Sequence, residues 1–367
     1  MKEDLVSAAL AEPGMLAQCS LERWDRLIRQ GRAARLLGRL AVLLEQAQLL
    51  ASVPEAPRRH LVAMRLLADQ QRIAARREVL LIREAIGRTG VPVILLKGAA
   101  YTMAELPVAE GRAFGDIDIL VPRVALADVE SALMLAGWAS IHRDPYDQRY
   151  YRQWMHEIPP MQHLRRGTVI DVHHALVPPT ARIAADSDAM RSACIPLEGL
   201  PGLFVLAPAD MVLHSATHLF MEGEFDAGLR DLADLDGLLR HFGRDPAFWT
   251  RLGRRAREVG LLRPLFYALR YAGESLHTPI PAALMREAEA GAPSAALRPL
   301  MDFCFRRALR PKHHTCANAW TSAARWLLYV RGHWLRMPLH LLAVHLARKA
   351  FKREESTSSA PEAALRR

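Results

Sequence analysis

Apolar positions recur at three- and four-residue spacing through two N-terminal stretches, residues 20–50 and 57–88. Trp24, Leu27, Ile28, Leu36, Leu37, Leu40, Leu43 and Leu44 carry the first, with arginines between them. That is the period of an amphipathic helix, and Pro54 and Pro57 punctuate the two segments. The second, broadly His60 to Arg88, is expected to end near Gly87 and Gly90. There the pattern changes. Val91 to Lys97 (VPVILLK) is a short apolar run bounded by Gly90, as expected of a buried strand. Gly115 to Val121 (GDIDILV) alternates instead. In a strand Asp116 and Asp118 share one face while Ile117 and Ile119 share the other.

Residues 124–136 read as a helix stopped by Gly137, and Trp138 to His142 as a strand. The aromatic and basic stretch 149–166 reads as strand or loop. Thr168 to His173 (TVIDVH) reads as a strand with Asp171 and His173 on one face. Pro178-Pro179 is expected to end the sheet. Residues 180–205 look irregular, and segments within 208–242, 247–272, 281–309 and 317–351 are helical by pattern. The fold class is therefore α+β, a small mixed sheet flanked by helices. Its expected divisions are an N-terminal helical segment (1–88), a core (89–178), a larger C-terminal helical domain (179–353) and a disordered tail (354–367).

Charge adds a partner class. The 367 residues carry 49 Lys+Arg against 39 Asp+Glu, a net +10 that favours anionic partners such as a nucleotide, a nucleic acid or an acidic membrane surface. Arginines on solvated helix faces are the plainer account of the same number. Cys19, Cys194, Cys304 and Cys316 form no CxxC pair, and the acidic, weakly apolar start does not resemble a secretory leader. Reduced thiols in the cytoplasm are the expectation.

The chemistry concentrates around the two strands. Two carboxylates on one strand face repel, and burying either alone costs several kcal/mol, so the pair points to a divalent cation with oxygen ligands, Mg²⁺ or Mn²⁺. Lys97-Gly98-Ala99-Ala100 reads as a turn of small residues where backbone N–H groups could approach an anion. An exposed D-x-D on an edge strand is the alternative.

LLKGAA (Leu95 to Ala100), then R-x-x-G-D-I-D-I-L-V-P (Arg112 to Pro122), then the distant D-V-H (Asp171 to His173) resembles the nucleotidyltransferase superfamily of polymerase-β-like fold. More narrowly it resembles a bacterial family of uncharacterised nucleotidyltransferases. The broader superfamily has Gly-Gly or Gly-Ser and a shorter spacer, where this chain has Lys97-Gly98 and seventeen intervening residues. The resemblance implies Mg²⁺-dependent transfer of a nucleoside monophosphate from an NTP to an acceptor, with release of pyrophosphate. It implies that Asp116, Asp118 and Asp171 are the metal-binding carboxylates, and that Lys97 and Gly98 lie at the phosphates. Arg112 either clamps phosphate oxygens or neutralises the Asp pair, and His173 orients substrate or a ligand, or is a half-buried strand histidine. The acceptor (small molecule, protein or RNA) is left open. The rival class is a nucleotide-holding scaffold without turnover.

Three further groups stand outside this pattern. His214 and His218 stand at i, i+4 on one helix, where they either bind a metal or line the nucleotide cleft. Cys304, His313, His314 and Cys316 invite a zinc reading, but their spacing matches no zinc finger. Residues 320–352 mix Trp, Leu and Arg as a basic amphipathic surface does, so a peripheral contact with an anionic membrane stands beside simple packing of C-terminal helices, kinked at Pro338.

Overall fold

A computed structural model describes residues 3–141, 144–183 and 185–337. The N-terminal pattern becomes α1 (Leu5–Ala11), α2 (Leu21–Ala33), α3 (Leu37–Gln46) and the long α4 (Glu55–Gly87). Residues 20–50 are thus two helices rather than one, broken at Arg35, whose φ of 57° no helix continues through. The Ser20 side chain accepts the Arg23 N–H and caps α2.

The chain then runs β1 (Val93–Leu95), α5 (Lys97–Met103), β2 (Ile117–Leu120), α6 (Leu126–Leu135), β3 (Trp138–Ser140), α7 (Pro145–Arg149), β4 (Met161–His163) and β5 (Val169–His173). It continues through α8 (Ser187–Ser192), β6 (Ile195–Pro196) and β7 (Leu203–Val205) into α9 (Pro208–Met221), α10 (Gly228–Phe242), α11 (Pro246–Glu258) and α12 (Leu262–Leu276). The last described helices are α13 (Ala282–Ala288), α14 (Arg298–Ala308) and α15 (Thr321–Arg336).

The strands form one seven-stranded mixed sheet of order β3-β4-β5-β2-β1-β7-β6. β2 lies antiparallel to β1 and parallel to β5, while β7 lies parallel to β1. Two expectations are corrected here. Pro178-Pro179 does not end the sheet, because β7 pairs Leu203 with Val93, so the core reaches past the 178 boundary to residue 205. The stretch 149–166 is not simply strand or loop, since Tyr150–Trp154 forms a helical turn continuing α7.

On β2 and β5 the face opposite Asp118 and Asp171 is apolar: Ile117, Ile119, Ile170 and Val172 are all buried in the core. The helical side has its own aromatic centre. Phe220 of α9 packs on Tyr267 and Tyr271 of α12 and on Phe305 of α14, with ring centroids 5.3–5.8 Å apart. No helix among the described residues is long and apolar enough to cross a membrane. Of the 320–352 segment, α15 is described and leaves Trp326 62% exposed. Residues 338–352, with the kink expected at Pro338, and the tail 354–367 lie outside the described residues.

Candidate active site

The parallel pairing of β2 with β5 builds the site. Its register sets Asp118 directly beside Asp171, on strands about 4.8 Å apart. Asp118 is 4% exposed. Asp116 falls just before β2 and is exposed. Asp171 feels the negative charge of all its acidic neighbours. Burial first, then Asp118, Glu157 and Asp116, push its carboxyl up to about 8. Its Oδ1 is buried with no hydrogen-bond partner.

Asp118 is the opposite case. Lys97 Nζ donates to its Oδ1 at 3.0 Å, and His173 Nε2 lies 3.1 Å from the same oxygen. Burial alone would raise this carboxyl, but Lys97 and His173 hold it well below the usual range. Burial would likewise lower the Lys97 ammonium, yet Asp118, with Glu222 and Asp116 behind it, keeps it firmly protonated. A backbone bond from Leu96 N to Asp118 O, 3.0 Å, ties β1 to the carboxylate strand.

The Lys97-Gly98 turn is corrected. Lys97 opens α5 and Gly98 is buried in its first turn. Lys97 has φ 45°, in the left-handed region where glycine is at ease and a lysine is strained. A glycine would adopt this backbone without strain, whereas the lysine that stands here forms an ion pair with Asp118. Gly98 is also held by packing: a Cβ there would lie 2.3 Å from Arg112 Nη1.

Arg112 is also placed differently from either expectation. Its Nε donates to Asp234 of α10 at 2.8 Å, and Arg39 of α3 donates to the other oxygen of that carboxylate at 2.9 Å. All three side chains are buried. Arg112 thus neutralises Asp234 instead of Asp116 and Asp118, and the triad joins the N-terminal helices, the loop before β2 and the C-terminal helices. The loop fits because Gly111, at φ 65°, touches Gly38 of α3; a Cβ on Gly111 would stand 2.4 Å from the Gly38 carbonyl oxygen.

A histidine-rich wall closes the site. His214 and His218 of α9 are held neutral, first by burial and then by the Lys97 charge, His214 at about 3. His218 Nε2 lies 3.1 Å from Glu222, whose carboxyl burial raises to about 7. Both lie close enough to Lys97 and Asp118 to feel their charges. From the sheet side come His156 and Glu157, on a segment paired antiparallel to the end of β5. Sequence reasoning did not single out this His-Glu pair; only the pairing across β5 brings it to His173. Among the described residues, the side chains whose donor atoms all lie within 4.8 Å of one another, as an ion would need, are His156, Glu157 and His173. The three aspartates are not drawn together so tightly, and the set around Cys304 and Cys316 does not converge.

These carboxylates suit a hard divalent ion. Asp171 offers a buried oxygen without a partner, beside two further acids, and oxygen donors of this kind match Mg²⁺ or Mn²⁺. No curated protein and no solved structure matches the chain. A family model described as uncharacterised nucleotidyltransferase matches residues 20–277, and the span takes in the whole sheet and every residue of the site. Because that match covers more than half of its length, the chain belongs to this family of nucleotidyltransferases.

Proposed function

We propose that the chain transfers a nucleoside monophosphate from an NTP to an acceptor hydroxyl or phosphate, with Mg²⁺ or Mn²⁺ and release of pyrophosphate. The observation that carries this reading is the register of Asp118 with Asp171, together with the unpartnered Asp171 oxygen. Asp116, Asp118 and Asp171 would hold the metal, which when bound neutralises the triphosphate and lowers the pKa of the attacking group.

The chain's own residues supply the rest. Asp171, held ionised by the cation it would share, could accept the proton of the attacking group. Lys97 is a cation at the site, 18% exposed, and would supply a point charge to a phosphate there. His173 holds Asp118 through Nε2 and fixes the orientation of that carboxylate. His214 and His218, kept neutral, line the cleft without adding charge. The Arg39–Asp234–Arg112 triad positions α5, and so Lys97.

A second reading, a scaffold that holds nucleotide without turning it over, draws support from the Lys97–Asp118 ion pair. The two part at turnover. Purified protein incubated with each NTP, Mg²⁺ and cell extract should release pyrophosphate; nucleotide binding with no pyrophosphate above an Asp118→Asn control would leave the scaffold reading.

A further inference from the structure

We infer that His156, Glu157 and His173 form a second metal site, for a borderline first-row ion of the Zn²⁺ class, separate from the aspartates. The inference rests on geometry and stands whether or not the chain transfers nucleotides. Three donors, one from each side chain, lie within 4.8 Å of one another. His173 Nδ1 and Glu157 Oε2 are 3.4 Å apart. That is long for a charged hydrogen bond, and it matches the spacing of about 3.4 Å between ligands in a tetrahedron with bonds of ~2.1 Å.

His156 supplies an independent sign. It is 5% exposed, and its Nδ1 is buried with no partner. A buried imidazole nitrogen left unpaired is costly and is relieved by a ligand.

His173 is arranged as metal-binding histidines are. One ring nitrogen faces Glu157, while the other, Nε2, lies 3.1 Å from Asp118 Oδ1. A carboxylate on the far nitrogen fixes the tautomer and aims the near one. The ring would therefore join the two sites, with the borderline ion at Nδ1 and the hard-ion carboxylate at Nε2. The ligands sit on fixed backbone: Ile158 N donates to Val172 O at 3.0 Å and His174 N to His156 O at 2.8 Å. Two nitrogens and one carboxylate are the donor set of open Zn²⁺ sites and suit Mg²⁺ poorly. A fourth position is left for water or a substrate group. Lys97 and Arg336 bring positive charge nearby, opposed by Glu157, Asp118 and Glu222.

The test titrates Co²⁺ into tag-free, chelator-stripped full chain, with saturating Mg²⁺ present to fill the hard site. One equivalent should bind with the strong visible bands of a four- or five-coordinate ion. His156→Gln and Glu157→Gln should each weaken it by on the order of 10- to 100-fold, while His314→Gln on the exposed loop leaves it unchanged. Absence of stoichiometric binding, or equal affinity in folded His156→Gln and Glu157→Gln proteins, overturns the site. Should those variants not fold, X-ray absorption of Zn²⁺-loaded wild type decides: scattering from two imidazoles is expected, and a spectrum without imidazole overturns the proposal. Pyrophosphate release is scored separately, so loss of either result leaves the other interpretable.

Discussion

Replacing Asp171 with asparagine should stabilise the metal-free protein and remove its response to Mg²⁺. In the folded chain this carboxyl titrates near 8, against an ordinary 3.8, because burial, Asp118, Glu157 and Asp116 all oppose its charge. Between those two values the folded state keeps a proton that the unfolded chain has lost. Stability therefore falls as pH rises through that window, by up to about 1.4 kcal/mol per pH unit. Over the whole window the upper limit is about 6 kcal/mol, and solvent reaching a half-buried group brings it to roughly 2–3 kcal/mol. An amide does not ionise. In EDTA the variant should match wild type at about pH 4 and below, and gain on it steadily towards about pH 8. Histidines common to both proteins cancel in the difference. With saturating Mg²⁺ the order reverses, since a cation stabilises the ionised wild type and finds no charge on the amide that replaces the carboxylate. Thermal melts of both proteins, with EDTA and with Mg²⁺ across this pH range, give the comparison. A variant less stable than wild type in EDTA at every pH, or one stabilised by Mg²⁺ to the same degree, would refute the reasoning.

Asp118→Asn leaves the Lys97 ammonium without its partner and should cost about 3–5 kcal/mol in denaturant unfolding. Adding Lys97→Met should recover much of that, whereas strictly additive single costs would mean the pair is not coupled. Gly98→Ala drives a methyl into the Arg112 guanidinium and should cost about 1–3 kcal/mol; an unchanged unfolding midpoint would show that Arg112 yields freely. Burial and the nearby Lys97 and His173 charges keep His156, His214 and His218 neutral, and burial with Arg123 lowers His174 to about 4. For such groups stability is present above the unfolded value of 6.5 and is lost as pH falls below it. Wild-type melting temperature should therefore drop from about pH 6.5 downward, more steeply than in a His214→Gln, His218→Gln double variant.

The strands and their carboxylates were legible because alternation in GDIDILV and TVIDVH fixes which side chains share a face. The pairing of β2 with β5 was suggested only through the family resemblance, and it is what sets Asp118 beside Asp171. Local pattern failed where long-range pairing decides. β7 is three residues long between prolines and glycines, and it is a strand because it lies along β1. Arg112 looked like a partner for Asp116 four residues on. Its carboxylate is Asp234, which a sequence reading has no means to place opposite it. Lys97 drew notice as a missing glycine, yet the positive φ that gives the substitution its meaning is a backbone fact. His156 and Glu157 carry no signal in a stretch already crowded with aromatic and basic residues; their place beside His173 exists only after β5 is paired.

The most direct test of nucleotidyl transfer is the fate of two labels. Full-length protein is incubated with Mg²⁺, cell extract and an NTP labelled at either its α- or its γ-phosphate. The account predicts that the α-label enters an acceptor while the γ-label leaves as pyrophosphate, and that Asp118→Asn does neither. Transfer of the γ-label to the acceptor, or α-labelling undiminished in Asp118→Asn, would contradict it.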